Sequence, residues 1–291
     1  MKRLIEILLS AQLCCFPWQI IAGTQSQSEN VKAADGFCFH ENIRYGKTPK
    51  GIGADDRSSD RLLDIYVPES APPSKGFPVF LYIHGGGFVN GDKHGKTGKQ
   101  LCREMVERGY AVVSMNYYRT MRYNRGLGVS CTSEMKDGLP VSGRFHPILQ
   151  KAIRNASDDA ERGLAWIRKN AREYNLNADF VAVCGSSAGS MTALHLAYFS
   201  GQEVLPIKAV VNFWGGVEDP GAVGTPAAPM LIYHGDQDRV INVEYSYAIQ
   251  KRLQELGIPV TLSVLKGVGH GKSEYIMRNV DEIDEFLKKW Q

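Results

Sequence analysis

From residue 60 onward, short continuous apolar runs alternate with longer segments whose apolar positions recur every three or four residues. The runs at 62–67, 79–84, 110–117, 180–184, 209–214, 229–234 and 260–265 read as strands, the first stopped by Pro68. The spacing of Ile153, Ala156, Ala160, Leu164, Ile167 and Ala171 predicts a helix over 148–174. Further helices are expected over 98–108, closed by Gly109, from the turn after residue 184 through Tyr198, over 243–256, ended by Gly257, and over 280–290. Strands that are apolar on both faces belong in a covered sheet, and strand–helix alternation makes right-handed crossovers. The expected fold is α/β, a mostly parallel central sheet with helices on both faces. Residues 119–146 break the rhythm. They carry Arg119, Arg122, Arg125, Lys136 and Arg144 without a steady period, and a loop of that length is usually functional, here a candidate cap.

The N-terminal part reads differently. Lys2 and Arg3 precede a broken apolar run through Ala22, and a polar stretch begins at Thr24. This pattern predicts a signal peptide over 1–23 and export from the cytoplasm. Glu6 and Gln12 interrupt the run, which is therefore too broken for a spanning helix. An N-terminal segment over 24–41 would then lead into a single domain over 42–291, a length that suits one large α/β unit. Cys14 and Cys15 fall in the leader. Of the other cysteines, Cys38, Cys102, Cys131 and Cys184, none forms a C-x-x-C pair, so no zinc site is implied. Cys38 and Cys131 both lie in loop-like sequence and are open to bridging in an oxidising compartment. The net charge of +3 is spread among interspersed acids and bases, which argues against a nucleic-acid partner.

The chemistry resides in three places. Gly185-Ser186-Ser187-Ala188-Gly189 fits G-x-S-x-G and sits between an apolar strand and a helix, the setting in which a sharp turn presents a nucleophile. Ser187 is the candidate nucleophile; Ser186 is a rival, expected to point away from the cleft. His84-Gly85-Gly86-Gly87 follows a strand and offers backbone amides for an oxyanion, assigned to Gly86 and Gly87 together with Ala188. No Lys-Ser or Lys-Thr pair stands at the spacing of a phosphate loop. A serine needs a base and the base an orienting acid. His270, in a glycine-rich loop after the last strand, is the candidate base, whereas His84, His195 and His234 read as structural, and His40, His94 and His146 lack a supporting motif. Asp238 is the preferred acid and Asp236 its rival; Asp158 and Asp159 read as a helix-face or loop-anchoring pair. The order Ser187, Asp238, His270 is that of the α/β-hydrolases.

On these residues, together with Phe88, Asn116-Tyr117 and Asp158-Asp159-Ala160, the chain from about 42 to 290 resembles the α/β-hydrolase carboxylesterases of the hormone-sensitive-lipase-like and bacterial feruloyl-esterase-like groups. The resemblance implies an α/β-hydrolase fold and a serine esterase without metal or cofactor; because a long-chain lipase wants a greasy lid and the cap candidate is polar, short-chain or aromatic esters are expected. An esterase that removes acetyl or feruloyl groups from cell-wall polysaccharide is the alternative, with a serine peptidase and a non-catalytic binder on the same fold behind it. Ser190 stands where many relatives have glycine and Phe88 where many have tryptophan, two differences expected to reshape the acyl pocket.

Overall fold

In the computed structural model, residues 31–34, 36–47 and 60–291 are described. The expected leader over 1–23, with Cys14 and Cys15, lies outside them.

Among the described residues, nine strands form one sheet in the order β1-β2-β3-β5-β4-β6-β7-β8-β9. The strands are β1 (Val31–Ala34), β2 (Phe37–Arg44), β3 (Leu62–Pro68), β4 (Phe77–Ile83), β5 (Ala111–Met115), β6 (Leu176–Ser186), β7 (Ile207–Phe213), β8 (Met230–Gly235) and β9 (Val260–Leu265). The five pairings from β5 through β4 to β9 are parallel, and the three among β1, β2, β3 and β5 are antiparallel. The sheet thus begins at Val31, inside the stretch that the sequence pattern sets apart as an N-terminal segment.

Alternate residues of each central strand face different cores. Val79, Leu81 and Ile83 pack toward helices α3 (Pro147–Asn170) and α4 (Ala188–Tyr198), and Phe80 and Tyr82 pack toward α1 (Lys96–Glu107), α6 (Ser273–Arg278) and α7 (Val280–Lys288). Helix α5 (Glu244–Glu255) covers the far end of the sheet through Ile249 and Leu253. Burial of such side chains contributes about 1.5–3 kcal/mol each, which is why the continuous apolar runs settle in the middle of the sheet.

The irregular 119–146 segment is more ordered than its composition suggests. It contains two 3₁₀ turns, Thr120–Tyr123 and Arg125–Leu127, and the short helix α2 (Cys131–Met135). Ser130 caps α2 by accepting the Ser133 amide, while the Ser133 hydroxyl accepts the Ser130 amide. Cys131, Met135 and Phe145 are buried in the core beside α3 and α4. Arg119, counted above among the polar cap residues, is instead buried and ion-paired with Asp60 at 2.7 Å.

Cys38, Cys102, Cys131 and Cys184 are all free thiols. The Cys38–Cys131 bridge is therefore not formed: Cys38 lies on β2 beside Glu69, and Cys131 is buried against Met191.

The chain runs from β4 to β5 in one direction, then returns to β6 on the other side of β4. Open α/β sheets place their sites at such a reversal, beyond the carboxyl ends of the strands. The glycine loop leaves β4 there, and Ser187 leaves β6 there.

Candidate active site

Ser187 sits between the last residue of β6 and the first residue of α4, with φ 54° and ψ −121°. A non-glycine residue in this region is strained, and such strain collects at functional sites. The flanking glycines make the turn possible. A Cβ on Gly185 would lie 2.3 Å from the Gly189 carbonyl oxygen, and one on Gly189 would lie 2.1 Å from that of Ile83. Strand and helix could not approach with any larger residue at either position. The Ser190 hydroxyl secures the same corner, donating to Gly185 O at 2.5 Å and accepting the Phe213 amide at 3.0 Å.

His270 Nε2 lies 2.8 Å from Ser187 Oγ, and His270 Nδ1 lies 2.6 Å from Asp238 Oδ2. The partners set the tautomer. A carboxylate only accepts, so Nδ1 carries the hydrogen and Nε2 turns its lone pair to the serine hydroxyl. Asp238 also accepts the amides of Val240 and Ile241 at 2.8 and 2.9 Å. Burial alone would raise the pKa of Asp238, but hydrogen bonds from His234, His270 and the Val240 amide outweigh it and hold the carboxyl well below the usual carboxylate range. The acid is therefore ionised throughout the neutral range.

Two loops bring these residues together. The loop after β8 carries Asp238, and the loop after β9 carries His270. Gln237 donates its amide to Val268 O at 3.0 Å, and Asp236 accepts the Gly267 amide at 2.7 Å. A Cβ on Gly235 would fall 2.2 Å from the Val268 carbonyl oxygen, so the two loops pack backbone to backbone. Asp236, the rival acid, faces Gly267 and Lys266 and ties the histidine loop down.

The oxyanion candidates stand opposite. Gly86 and Gly87 have φ of 118° and 61°, and their amides are engaged in no turn or ladder bond among the described residues, nor is that of Ala188 at the start of α4. Gly86, Gly87, Ser187, Trp214 and His270 all line one cavity of about 500 Å³. Cys131, at the start of α2, lines it too, so the 119–146 segment forms part of the wall.

The remaining sequence candidates are accounted for. Ser186 lines the cavity instead of pointing away from it, because the positive φ at Ser187 breaks strand alternation; its hydroxyl lies 3.5 Å from Tyr82 OH and has no basic partner among the described residues. His84 donates through Nδ1 to Gly85 O and stacks on Tyr117. Burial lowers its pKa to about 4, so it is neutral and structural. His234 accepts from Ser246 Oγ through Nδ1 and reaches both Ile241 O and Asp238 through Nε2, which makes it a support for the acid that the sequence pattern does not reveal. His195 lines a separate cavity of about 330 Å³. His146 caps α3, His94 contacts Lys93 and Asp64, and the ring of His40 lies edge-on to Tyr174. Asp159 is buried, accepts the Tyr118 amide and pairs with Arg61 and Arg162, the loop-anchoring role expected of it. Ser190 and Phe88 are fully buried and line no part of the 500 Å³ cavity, so they do not shape it directly. Among the described residues no group of His, Cys, Asp or Glu could hold a metal ion.

Residues 63–125 match the family described as BD-FAE, and residues 149–291 match the family described as Phospholipase/Carboxylesterase. Together the two profiles span the glycine loop, the elbow, the acid and the histidine. The chain has the α/β-hydrolase fold. Among curated proteins similar to this chain, Lipase 1 of Geotrichum candidum is 30% identical over 162 residues, covering 55% of this chain and 26% of its own length. Esterase LipQ of Mycobacterium tuberculosis is 23% identical over 259 residues, covering 74% of this chain and 54% of its own. The chain thus spans between about a quarter and about half the length of these relatives. Two solved structures share the hydrolase fold. A truncated carbohydrate esterase from gut microbiota has a TM-score of 0.63 at 16% identity, covering 90% of this chain and 99% of that one. A propionate-bound esterase of Thermogutta terrifontis has a TM-score of 0.62 at 17% identity, covering 86% of this chain and 93% of that one.

Proposed function

We propose that the protein is a serine carboxylesterase acting on short-chain or aromatic carboxylic esters. The observation that carries this reading is the hydrogen-bonded series Ser187 Oγ, His270, Asp238, opening onto a cavity rimmed by the free amides of Gly86 and Gly87. The esterases and lipases among its relatives support the same reaction type.

Ser187 Oγ attacks the ester carbonyl carbon and gives its proton to His270 Nε2. The carbonyl oxygen becomes an oxyanion and accepts hydrogen bonds from Gly86, Gly87 and Ala188. Asp238 holds the imidazole in register and stabilises the imidazolium. The C–O bond to the alcohol breaks as His270 returns the proton to the leaving oxygen. Water then repeats the sequence on the acyl-enzyme, releasing the acid and restoring the serine.

The size of the substrate follows from the cavity. About 500 Å³ suits a small acyl or aryl group, and hydroxyls of Thr97, Ser130, Thr132 and Ser273 stand in its wall among Val89, Trp214 and Ile276. Those hydroxyls favour the second reading, an ester of a hydroxylated polymer such as cell-wall polysaccharide. Export through a leader over 1–23 belongs to the same proposal, and N-terminal sequencing of secreted protein tests it: a mature chain starting near residue 24 supports export, an intact Met1 opposes it. The activity itself is tested with acetyl, butyryl, feruloyl and long-chain aryl esters. Turnover of the first three, abolished in Ser187→Ala, is expected. A preference for long acyl chains, or activity retained in Ser187→Ala, overturns the reading.

A further inference from the structure

Asn116 and Tyr117 are singled out by the sequence resemblance, yet neither touches the cavity. We propose that they are positioning residues, a clamp that holds both ends of the glycine loop and thereby fixes the amides of Gly86 and Gly87. The inference rests on the esterase reading above.

The loop in question, 84–95, leaves β4 and returns to the chain at α1 without joining the sheet. Its own bonds are few: the amides of Val89 and Asn90 both donate to Gly86 O, at 3.1 and 2.9 Å, and the Gly95 amide donates to Asp92 O. Glycine has the widest conformational freedom of any residue, so an oxyanion site made of Gly86 and Gly87 has no side chain of its own to lock it. Donors stabilise an oxyanion efficiently only if they are held in place beforehand. The locking must come from outside the loop.

It comes from the chain that leaves β5, the strand beside β4: the 3₁₀ turn there holds the middle of the loop, Met121 and Arg122 donating their amides to Phe88 O at 3.1 and 3.3 Å, and the two residues next to β5 hold its ends. At the near end of the loop, Tyr117 OH donates to His84 O at 3.0 Å, and the Tyr117 ring stacks on the His84 imidazole with centroids 4.6 Å apart. His84 in turn donates to Gly85 O at 2.7 Å. At the far end, Asn116 Oδ1 accepts the Lys93 amide at 2.6 Å, and Asn116 Nδ2 donates to Asp92 Oδ2 at 3.0 Å. Two consecutive residues thus grip the loop on either side of its glycines. The far grip is reinforced by the Ser114 hydroxyl on Lys93 O and by a buried ion pair, Lys93 Nζ to Asp64 Oδ1 at 2.7 Å. Arg119, paired with Asp60, donates to Gly91 O at 3.2 Å. The loop is also closed across its middle, where a Cβ on Gly91 would lie 2.1 Å from Gly85 O. Tyr118, between Arg119 and the clamp, is tied elsewhere, through its amide to Asp159.

Tyr117→Phe removes one hydrogen bond and keeps the buried ring. The test is a pair of aryl esters that differ in the carbonyl atom, an oxoester and its thionoester, because sulfur is a weak acceptor and draws little from an oxyanion site. For the oxoester, kcat is expected to fall about tenfold with KM unchanged within about twofold, less than the hundredfold or more lost when a donor is deleted outright. The thionoester rate should fall far less, so the oxoester-to-thionoester ratio drops nearly as much as kcat. A wild-type kcat in Tyr117→Phe, or equal losses on both substrates, overturns the proposal. If Tyr117→Phe does not fold, Asn116→Asp, which keeps the acceptor for the Lys93 amide, is read by the same two criteria. A wild-type protein that turns over neither ester removes the esterase reading and this inference with it.

Discussion

Asp236 accepts the amide of Gly267 at 2.7 Å, and through that contact the strand that ends in the acid loop holds the loop that carries His270. Two residues further on, Asp238 faces the imidazole itself. The two aspartates have the same sequence setting and different tasks, and substitution separates them. Asp238→Asn leaves the geometry and spoils the tautomer; kcat should fall by about ten-thousandfold. Asp236→Asn loosens an anchor only, and kcat should fall by less than about tenfold, in line with a hydrogen bond worth about 1 kcal/mol. Steady-state kinetics of both variants on one aryl acetate checks the assignment, and a reversed order contradicts it.

His84 makes stability depend on acid. Its Nε2 is buried without a partner, and burial lowers its pKa from 6.5 to about 4. In the unfolded chain the imidazole takes a proton below about pH 6.5, while in the folded chain it stays neutral down to about pH 4. Between those values the unfolded state binds more protons, so stability falls as the pH falls. At about 1.4 kcal/mol per pH unit, this single group removes about 3 kcal/mol by pH 4. Urea unfolding at pH 7.5 and 4.5 should show a drop that is smaller by about 2–3 kcal/mol in His84→Gln. An unchanged drop would mean that His84 takes up its proton at the same pH in the folded and the unfolded chain, contradicting its burial as a neutral group.

The glycines at the elbow differ from those at open turns. Gly189→Ala places a methyl 2.1 Å from Ile83 O, and no side chain rotation relieves the contact because the neighbour is backbone. Gly201 has φ 68° and open space around it, so Gly201→Ala meets only the left-handed conformational cost of about 1–2 kcal/mol. Thermal unfolding should rank Gly189→Ala well below Gly201→Ala, with activity lost in the first and retained in the second. Equal stability of the two would contradict the close packing of β4 against the elbow.

The parts of this fold that sequence makes legible are those governed by local rules. The central strands β4 to β8 show as mostly apolar runs bounded by turns, although β6 starts at Leu176 and reaches its apolar part only at Phe180, and α3 shows its buried stripe from Ile153 to Ile167. The elbow is readable because steric need writes Gly185 and Gly189 into fixed places around Ser187. What escapes depends on distant partners or on very short elements. Strand β2 has a mixed burial pattern, and its register is set by β3, beyond a stretch of undescribed chain. Helix α2 has five residues, too few to show a period, and only its Ser130–Ser133 capping box betrays it. Helix α6 has six. The cavity-facing position of Ser186 defies alternation because Ser187 turns the backbone to positive φ. His234 is recognisable as a strand-end histidine, but its hold on Asp238 arises only when Ser246 and Ile241 fold over it.

The central claim is that Ser187 is made nucleophilic by His270 within reach of the glycine-loop amides. The direct measurement is labelling by a fluorophosphonate at neutral pH, with the adduct located by peptide mass spectrometry. One adduct per chain, on Ser187 and nearly absent from His270→Ala, is the predicted result. An unlabelled wild-type chain, or an adduct on Ser186, contradicts the account.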